Sequence, residues 1–212
     1  MRNYIIATDS DTEIPFTYAD EHNIPVFLMP YTVNGEERLF DLGRNTDFNA
    51  FYQELRDGAD AITSTRPPVD IADFFRDIVK DGTELLYLSF SSALSGHYDL
   101  TLMAKAMVLE EFPDARIEIV DTLRISMGAG ELVMYAQQLK EEGKTLEEVR
   151  DWVVENRQRA HAWFSVDDLN YLKKGGRLSG AAAAIGTILD VKPILKLNRE
   201  GKIVAADKVK GP

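Results

Sequence analysis

The chain has 212 residues, 45% hydrophobic and 28% charged, the proportions of a globular protein with apolar mass for one large or two small cores. With 24 basic against 35 acidic residues its formal charge is -11, a field that repels nucleic acid and anionic membrane surfaces. The absence of cysteine excludes disulfides, thiolate nucleophiles and sulfur-ligated metals, and suits a reducing compartment. No export signal or bilayer-length apolar run is evident, so a cytoplasmic protein without stable membrane insertion is expected. His22, His97 and His161 are too scattered to suggest a metal site.

In chain order, residues 4 to 7 (YIIA) form a short apolar run ending in Thr8, Asp9 and Ser10, the pattern of a buried parallel strand delivering polar groups at its carboxyl end. PVFLMPYTV and ERLFDL, within 25 to 42, flank Asn34-Gly35, a dipeptide suited to a hairpin turn, and this hairpin is expected to extend the first domain. Ile71, Phe74, Phe75, Ile78 and Val79 follow helical spacing. ELLYLSFSS (84 to 92) is an apolar run closing on serines, and RIEIVDT (116 to 122) closes on Asp121 and Thr122. Leu132, Val133, Ala136 and Leu139 mark another amphipathic helix, and Thr145 with Glu148 forms a capping box that opens the next one. Strands alternating with helices predict a parallel sheet covered on both faces.

A boundary near 158 divides an N-terminal α/β domain, 1–158, from the first part of a C-terminal α/β domain, 159–212. The latter is predicted to hold a strand at 160 to 166, a short helix from Leu169 to Lys174, the Gly175-Gly176 turn and a small-residue helix from Ser179 to Leu189. The strands VKPILKLN and KIVAADKV follow, joined by a turn at Asn198 to Gly201. No element closes this domain after Lys210, so the complete polypeptide is expected to be longer.

Candidate chemistry lies in a few segments. In TSTRPP (63 to 68) the prolines fix a loop that could hold Thr63 and Ser64 towards a ligand, or the hydroxyls could simply cap the next helix. SFSSALSGHY (89 to 98) puts Ser91, Ser92, Ser95 and Gly96 at a strand-to-helix junction, where free N–H groups favour an anion and where an ordinary N-cap is an equal reading. A serine hydrolase is the rival. However, the Gly-x-Ser-x-Gly elbow is absent, and His97 is too close in sequence to Ser95 for the usual arrangement. Lys173, Lys174 and Arg177 make a basic cluster on an acidic chain, either an anion site or a solvated surface, and the following Ala/Gly run suits close helix packing or a narrow apolar tunnel. Asp9, Asp11 and Glu13 could suggest a divalent cation but more commonly cap helices, so no metal is assigned.

ATDSDTEIP, TST-PP, SSALSGHY, the VDT and SMGAG pair at 120 to 130, and above all LKKGGRLSGAAAAIGTILDVKPIL together resemble the DegV family across nearly the whole chain. The resemblance implies a two-domain α/β fold, with a parallel three-layer N-terminal domain and a smaller two-layer C-terminal one. It also implies a long-chain fatty acid held between the domains, no cofactor, and an ATP-using kinase partner that converts the presented carboxylate into an acyl phosphate. Mapped by motif, Thr63 and Ser95 contact the carboxylate with Ser64 and Gly96 beside them, while Lys173, Lys174 and Arg177 face the phosphate or kinase. The family commonly has Gln-Pro-Ser where this chain has Thr65-Arg66-Pro67, and Thr in place of His97, so Arg66 and His97 are expected to modulate head-group affinity. A family histidine that completes the site falls beyond residue 212. The chain is thus expected to be a carrier and not an enzyme, with a serine-dependent lipid hydrolase or acyl transferase using Ser95, or a partner-binding scaffold, as the alternatives. Thr63 and Ser95 each follow a strand end, and parallel strands present those ends on one sheet edge.

Overall fold

Tyr4–Asp9 (β1), Val26–Phe27 (β2), Glu84–Ser89 (β6) and Ile117–Asp121 (β7) form a parallel sheet in the order β2-β1-β6-β7. The computed structural model describes residues 3–166, 169–177 and 191–210. Every residue of β6 is buried, as its continuous apolar run requires of a central parallel strand. Its period of two divides the core. Leu85 and Tyr87 pack with Ile71 and Phe75 of α3 (Pro68–Val79) and with Ala104 and Val108 of α4 (His97–Glu111). Leu86 and Leu88 pack with Val133 and Ala136 of α5 (Ser126–Glu141) and with Val149 and Val153 of α6 (Leu146–Asn156). Each such side chain contributes roughly 1.5–3 kcal/mol of burial, so the helices are held by their apolar faces. Helix α6 begins with the predicted capping box, Thr145 accepting from the Glu148 N–H and Glu148 accepting from the Thr145 N–H.

The run PVFLMPYTV does not form one strand of a hairpin. Its first half, β2, joins the parallel sheet, whereas Pro30–Val33 (β3) pairs antiparallel with Glu36–Leu39 (β4) and with Ala61–Thr63 (β5) in a separate sheet. The break falls at Met29, whose N–H donates to Ser10 Oγ at 2.9 Å and whose carbonyl accepts from the Phe40 N–H at 2.9 Å. The Asn34-Gly35 turn lies where the sequence predicts it, linking β3 and β4. Helix α2 (Phe48–Arg56) sets Phe51 edge-on to Tyr31 of β3 and Phe48 edge-on to Phe40, with Asp47 capping its start. A short α1 (Phe16–Glu21) lies between β1 and β2 and buries Ala19 in the core.

The third sheet has the order β10-β9-β8 and is antiparallel: Ile203–Lys210 (β10), Val191–Leu197 (β9) and Trp163–Phe164 (β8). The strand expected over 160 to 166 is therefore reduced to a single short pairing with Leu195 and Lys196. Helix α7 (Leu169–Lys174) ends as the Gly175-Gly176 pair predicts, with the Arg177 N–H donating to the Leu172 carbonyl and the Gly176 N–H to that of Lys173. The predicted helix from Ser179 to Leu189 lies outside the described residues.

This sheet docks on the parallel one through the β9–β10 turn. Arg124, 3% exposed, donates from Nε to the Ala160 carbonyl at 2.7 Å, from Nη1 to that of Asn198 at 3.2 Å, and from Nη2 to Gln158 Oε1 at 2.9 Å. Ser91 donates to the Gly201 carbonyl at 2.9 Å. Gly201 itself has φ +76, and a Cβ there would come within 2.2 Å of Ser91 Oγ. Gly201→Ala therefore combines a left-handed non-glycine residue with overpacking, and we expect it to cost about 2–4 kcal/mol, measured as a lower urea midpoint. An unchanged midpoint would show that the turn does not hold the sheets together.

Candidate functional site

The order β2-β1-β6-β7 places a topological switch between β1 and β6, whose connections leave the sheet in opposite directions and open a crevice at their carboxyl ends. That edge carries a cleft of about 1550 Å³, walled by Met29, Phe90, Leu94, Met134, Phe164 and Ile203 among others. A second cleft of about 880 Å³ runs beneath the β4-β3-β5 sheet and is lined by Tyr31, Phe40, Phe48, Phe51 and Ile62. Asp11, Glu13, Thr63, Ser64, Tyr171 and Arg177 line both clefts. Volumes and apolar walls of this kind, with a few convergent polar groups, are those of small-molecule sites.

Thr63, Ser64, Ser95 and Gly96 all line the larger cleft. Ser95 follows parallel strand β6, as expected, but Thr63 ends β5 of the antiparallel sheet and reaches the cleft from another layer. Ser95 Oγ accepts from the His97 N–H at 3.2 Å, so the capping reading describes the hydroxyl's lone pair and leaves its proton for another acceptor. A Cβ at Gly96 would meet no protein atom within 4 Å, so this backbone is open to close approach.

The basic cluster is divided by the turn that follows α7. Lys173 is exposed, Lys174 pairs with Asp60, and Arg177 turns into the cleft wall, where Nε donates to the Leu94 carbonyl at 2.8 Å. Arg66 lies off both clefts, with Nη1 3.7 Å from Asp70 Oδ2. His97 also lies off them, fully buried with its ring stacked on Phe90 at 5.5 Å and Nε2 3.1 Å from the Tyr87 hydroxyl.

Asp11 and Glu13, weighed from the sequence as cation ligands or, more commonly, helix caps, stand in the cleft wall. Among the described residues no group of three or more His, Asp or Glu is placed to hold a metal ion. Burial, then Glu13, pushes the Asp11 carboxyl up to about 6, with Arg177 opposing. Glu13, which keeps an exposed surface, is raised by partial desolvation, against a hydrogen bond from Ser126 that favours its charged form. Glu13 and Ser126 both have left-handed backbones, φ 54 and 51, at the point where α5 meets the β1 loop. Gly130 permits that approach, because a Cβ there would lie 2.5 Å from the Thr12 carbonyl oxygen. The glycine pattern of SMGAG is thus the signal that could have located the acidic pair.

A family model described as "Uncharacterised protein, DegV family" matches residues 4–212. The chain belongs to the DegV family. It is 39% identical over 211 residues to a DegV domain-containing protein of Clostridium perfringens, covering 100% of this chain and 72% of that relative. A solved DegV family protein from Thermus thermophilus, described by its fatty acid binding, superposes with a TM-score of 0.85 at 33% identity, over 100% of this chain and 72% of that one. DegV of Bacillus subtilis, described as a fatty acid binding protein, gives 0.84 at 26% identity over 100% and 73%. The α/β fold is therefore that of the DegV proteins. Among the described residues no helix is long and apolar enough to cross a membrane.

Behind the cleft of this DegV chain lies a buried polar group. Asp9 Oδ2 accepts from the Phe90 N–H at 3.1 Å and stands 3.9 Å from His97 Nε2. Burial, then the neighbouring Asp11 charge, raises the Asp9 carboxyl well above its usual range, while burial lowers His97 to about 4. Between that value and the ordinary 6.5, the unfolded chain binds a proton that folded His97 does not, so stability falls as pH drops through this window. Asp9 acts in the opposite sense, its stabilisation being lost as pH rises through its raised value. The His97 contribution amounts to roughly 3 kcal/mol. Urea unfolding at pH 6.5 and pH 4 should show a smaller acid loss in His97→Gln than in the wild type; equal losses would exclude His97 as the titrating group.

Proposed function

We propose that this protein binds a long-chain fatty acid in the cleft between its parallel sheet and the β8–β10 sheet, and presents the carboxylate to a separate ATP-using kinase. In that step a carboxylate oxygen bonds to the γ-phosphorus and ADP leaves. On this reading the protein is a cytoplasmic carrier, its domains 1–158 and 159–212 flank the ligand, and Lys173, Lys174 and Arg177 face the kinase. The observation that carries the proposal is the convergence of Thr63, Ser64, Ser95 and Gly96 on one apolar-walled cleft. The 33% identical Thermus thermophilus protein, described by its fatty acid binding, supports it.

The division of labour follows from magnitudes. Burying ten methylenes of a tail gains on the order of 8 kcal/mol gross, whereas each charge-assisted hydrogen bond contributes roughly 1.5–3 kcal/mol. The tail sets affinity and the hydroxyls set orientation. A hydrolase reading would need Ser95 activated by a base, and the His97 imidazole is instead bonded to Tyr87 behind Phe90. His161 does line the cleft, so covalent chemistry is tested directly alongside binding.

Native mass spectrometry of freshly purified protein should reveal a non-covalent fatty acid. A covalent acyl adduct would establish the enzyme instead, and no lipid under any loading condition would overturn the carrier. Ser95→Ala should weaken myristate binding by about 1–3 kcal/mol without lowering the melting temperature. The penalty should shrink for the methyl ester, whose charge is already gone. If the variant binds acid and ester as the wild type does, Ser95 is only a helix cap.

A further inference from the structure

We propose that Ser91, buried and lining neither cleft, is a positioning residue for the head group: it ties the loop that carries Ser95 and Gly96 to the β9–β10 turn, so that docking of the third sheet sets where the ligand carboxylate is held. This rests on the fatty-acid reading above and names a residue that acts on the ligand only through Ser95 and Gly96. The two adjacent serines of the loop are used differently. Ser92 is exposed, and its N–H donates to Asp121 Oδ1 at 3.2 Å. Ser91 is wholly buried, and its backbone and its hydroxyl are both bonded.

Ser91 is a node in a closed circuit of hydrogen bonds. Its N–H donates to the Arg124 carbonyl at 2.8 Å, while the Arg124 guanidinium holds the Asn198 carbonyl at 3.2 Å. The Gly201 N–H donates to that same Asn198 carbonyl at 3.2 Å, and the Gly201 carbonyl accepts from Ser91 Oγ at 2.9 Å, which completes the circuit. Within the loop the Ser91 hydroxyl also accepts from the Ala93 N–H at 3.3 Å, and the Ser91 carbonyl accepts from the Leu94 N–H at 3.1 Å. One side chain thus fastens the β9–β10 turn and shapes the bend that leads into Ser95. Leu94 extends the tie. It packs against both the parallel-sheet core around Tyr87 and the smaller cluster of Leu195 and Ile203, and its carbonyl accepts from Arg177 Nε at 2.8 Å. Residues 91 to 94 are therefore held from both sheets immediately before the head-group residues. A serine hydroxyl has one proton, here given to Gly201, so Ser91→Ala leaves a buried carbonyl and the Ala93 amide without that partner, and relief requires the loop to move.

Myristate affinity is measured calorimetrically for the wild type, Ser91→Ala, Ser92→Ala, Ser95→Ala and the Ser91→Ala/Ser95→Ala double variant, with urea unfolding of each. Ser91→Ala should bind about tenfold more weakly than the wild type, the size of one displaced hydrogen bond, whereas Ser92→Ala should bind as the wild type does. In the Ser95→Ala background the loss from Ser91→Ala should shrink to about threefold or less, because a residue that acts through Ser95 then has little left to position. A residue with a structural role alone would lower the urea midpoint and either leave affinity unchanged or remove the same factor from both backgrounds. Unchanged affinity in Ser91→Ala, an equal loss in Ser92→Ala, or an undiminished loss in the Ser95→Ala background would overturn the proposal even though myristate binds the wild type. If Ser91→Ala does not fold, Ser91→Cys, close in size but a weak donor, is carried through the same comparison with the same criteria. Failure of the wild type to bind myristate would overturn the fatty-acid reading itself.

Discussion

The site depends on the docking of the β9–β10 turn onto the carboxyl edge of the parallel sheet. Arg124 is a buried cation whose guanidinium is satisfied by the Ala160, Leu123 and Asn198 carbonyls and by the Gln158 amide oxygen. Gln158 in turn donates to the Arg199 carbonyl at 2.9 Å, so the turn is held from two directions. A buried cation costs several kcal/mol unless its donors are met, and each charge-assisted bond returns roughly 1.5–3 kcal/mol. Because most of these acceptors are backbone atoms of different segments, the guanidinium fixes where those segments lie relative to one another. The cleft is the space left between them.

Within that space, apolar walls and ionisable groups have opposite requirements. An apolar ligand would be favoured by excluding water, and loss of water raises the carboxyl of Asp11 and, although that side chain stays partly exposed, of Glu13. The structure tolerates this by placing the strained backbones of Glu13 and Ser126 where α5 closes on the β1 loop, held by the core contacts of α5. Strain supported by surrounding packing is characteristic of ligand sites. His97 and Asp9 extend the polar region beneath Phe90, where they influence stability without lining the cleft.

Much of the fold was legible because it is local. The continuous apolar runs of β1, β6 and β7, the helical spacing of α3 and α5, the Thr145 capping box and the Gly175-Gly176 helix end each follow from a few neighbouring residues. Helix α2 was legible but unread: Asp47 followed by Phe48, Phe51, Tyr52 and Leu55 is a cap and an apolar stripe. The division of PVFLMPYTV between two sheets was not legible, since its break is set by a bond from Met29 to Ser10, nineteen positions away in the chain.

The sequence by itself determined the α/β alternation, the hydroxyl-rich loops and the excess of acid, because periodicity, capping and charge are properties of adjacent residues. Only the tertiary structure decided that Thr63 and Ser95 line one cleft from different sheets, that Arg177 turns inward while Lys174 is drawn to Asp60, and that His97 is buried away from that cleft. It also decided which of many carboxylates lose water. Asp9 and Asp11 are distinguished from the surface acids not by their neighbours in sequence but by their loss of water on folding, and desolvation is a property of the assembled layers.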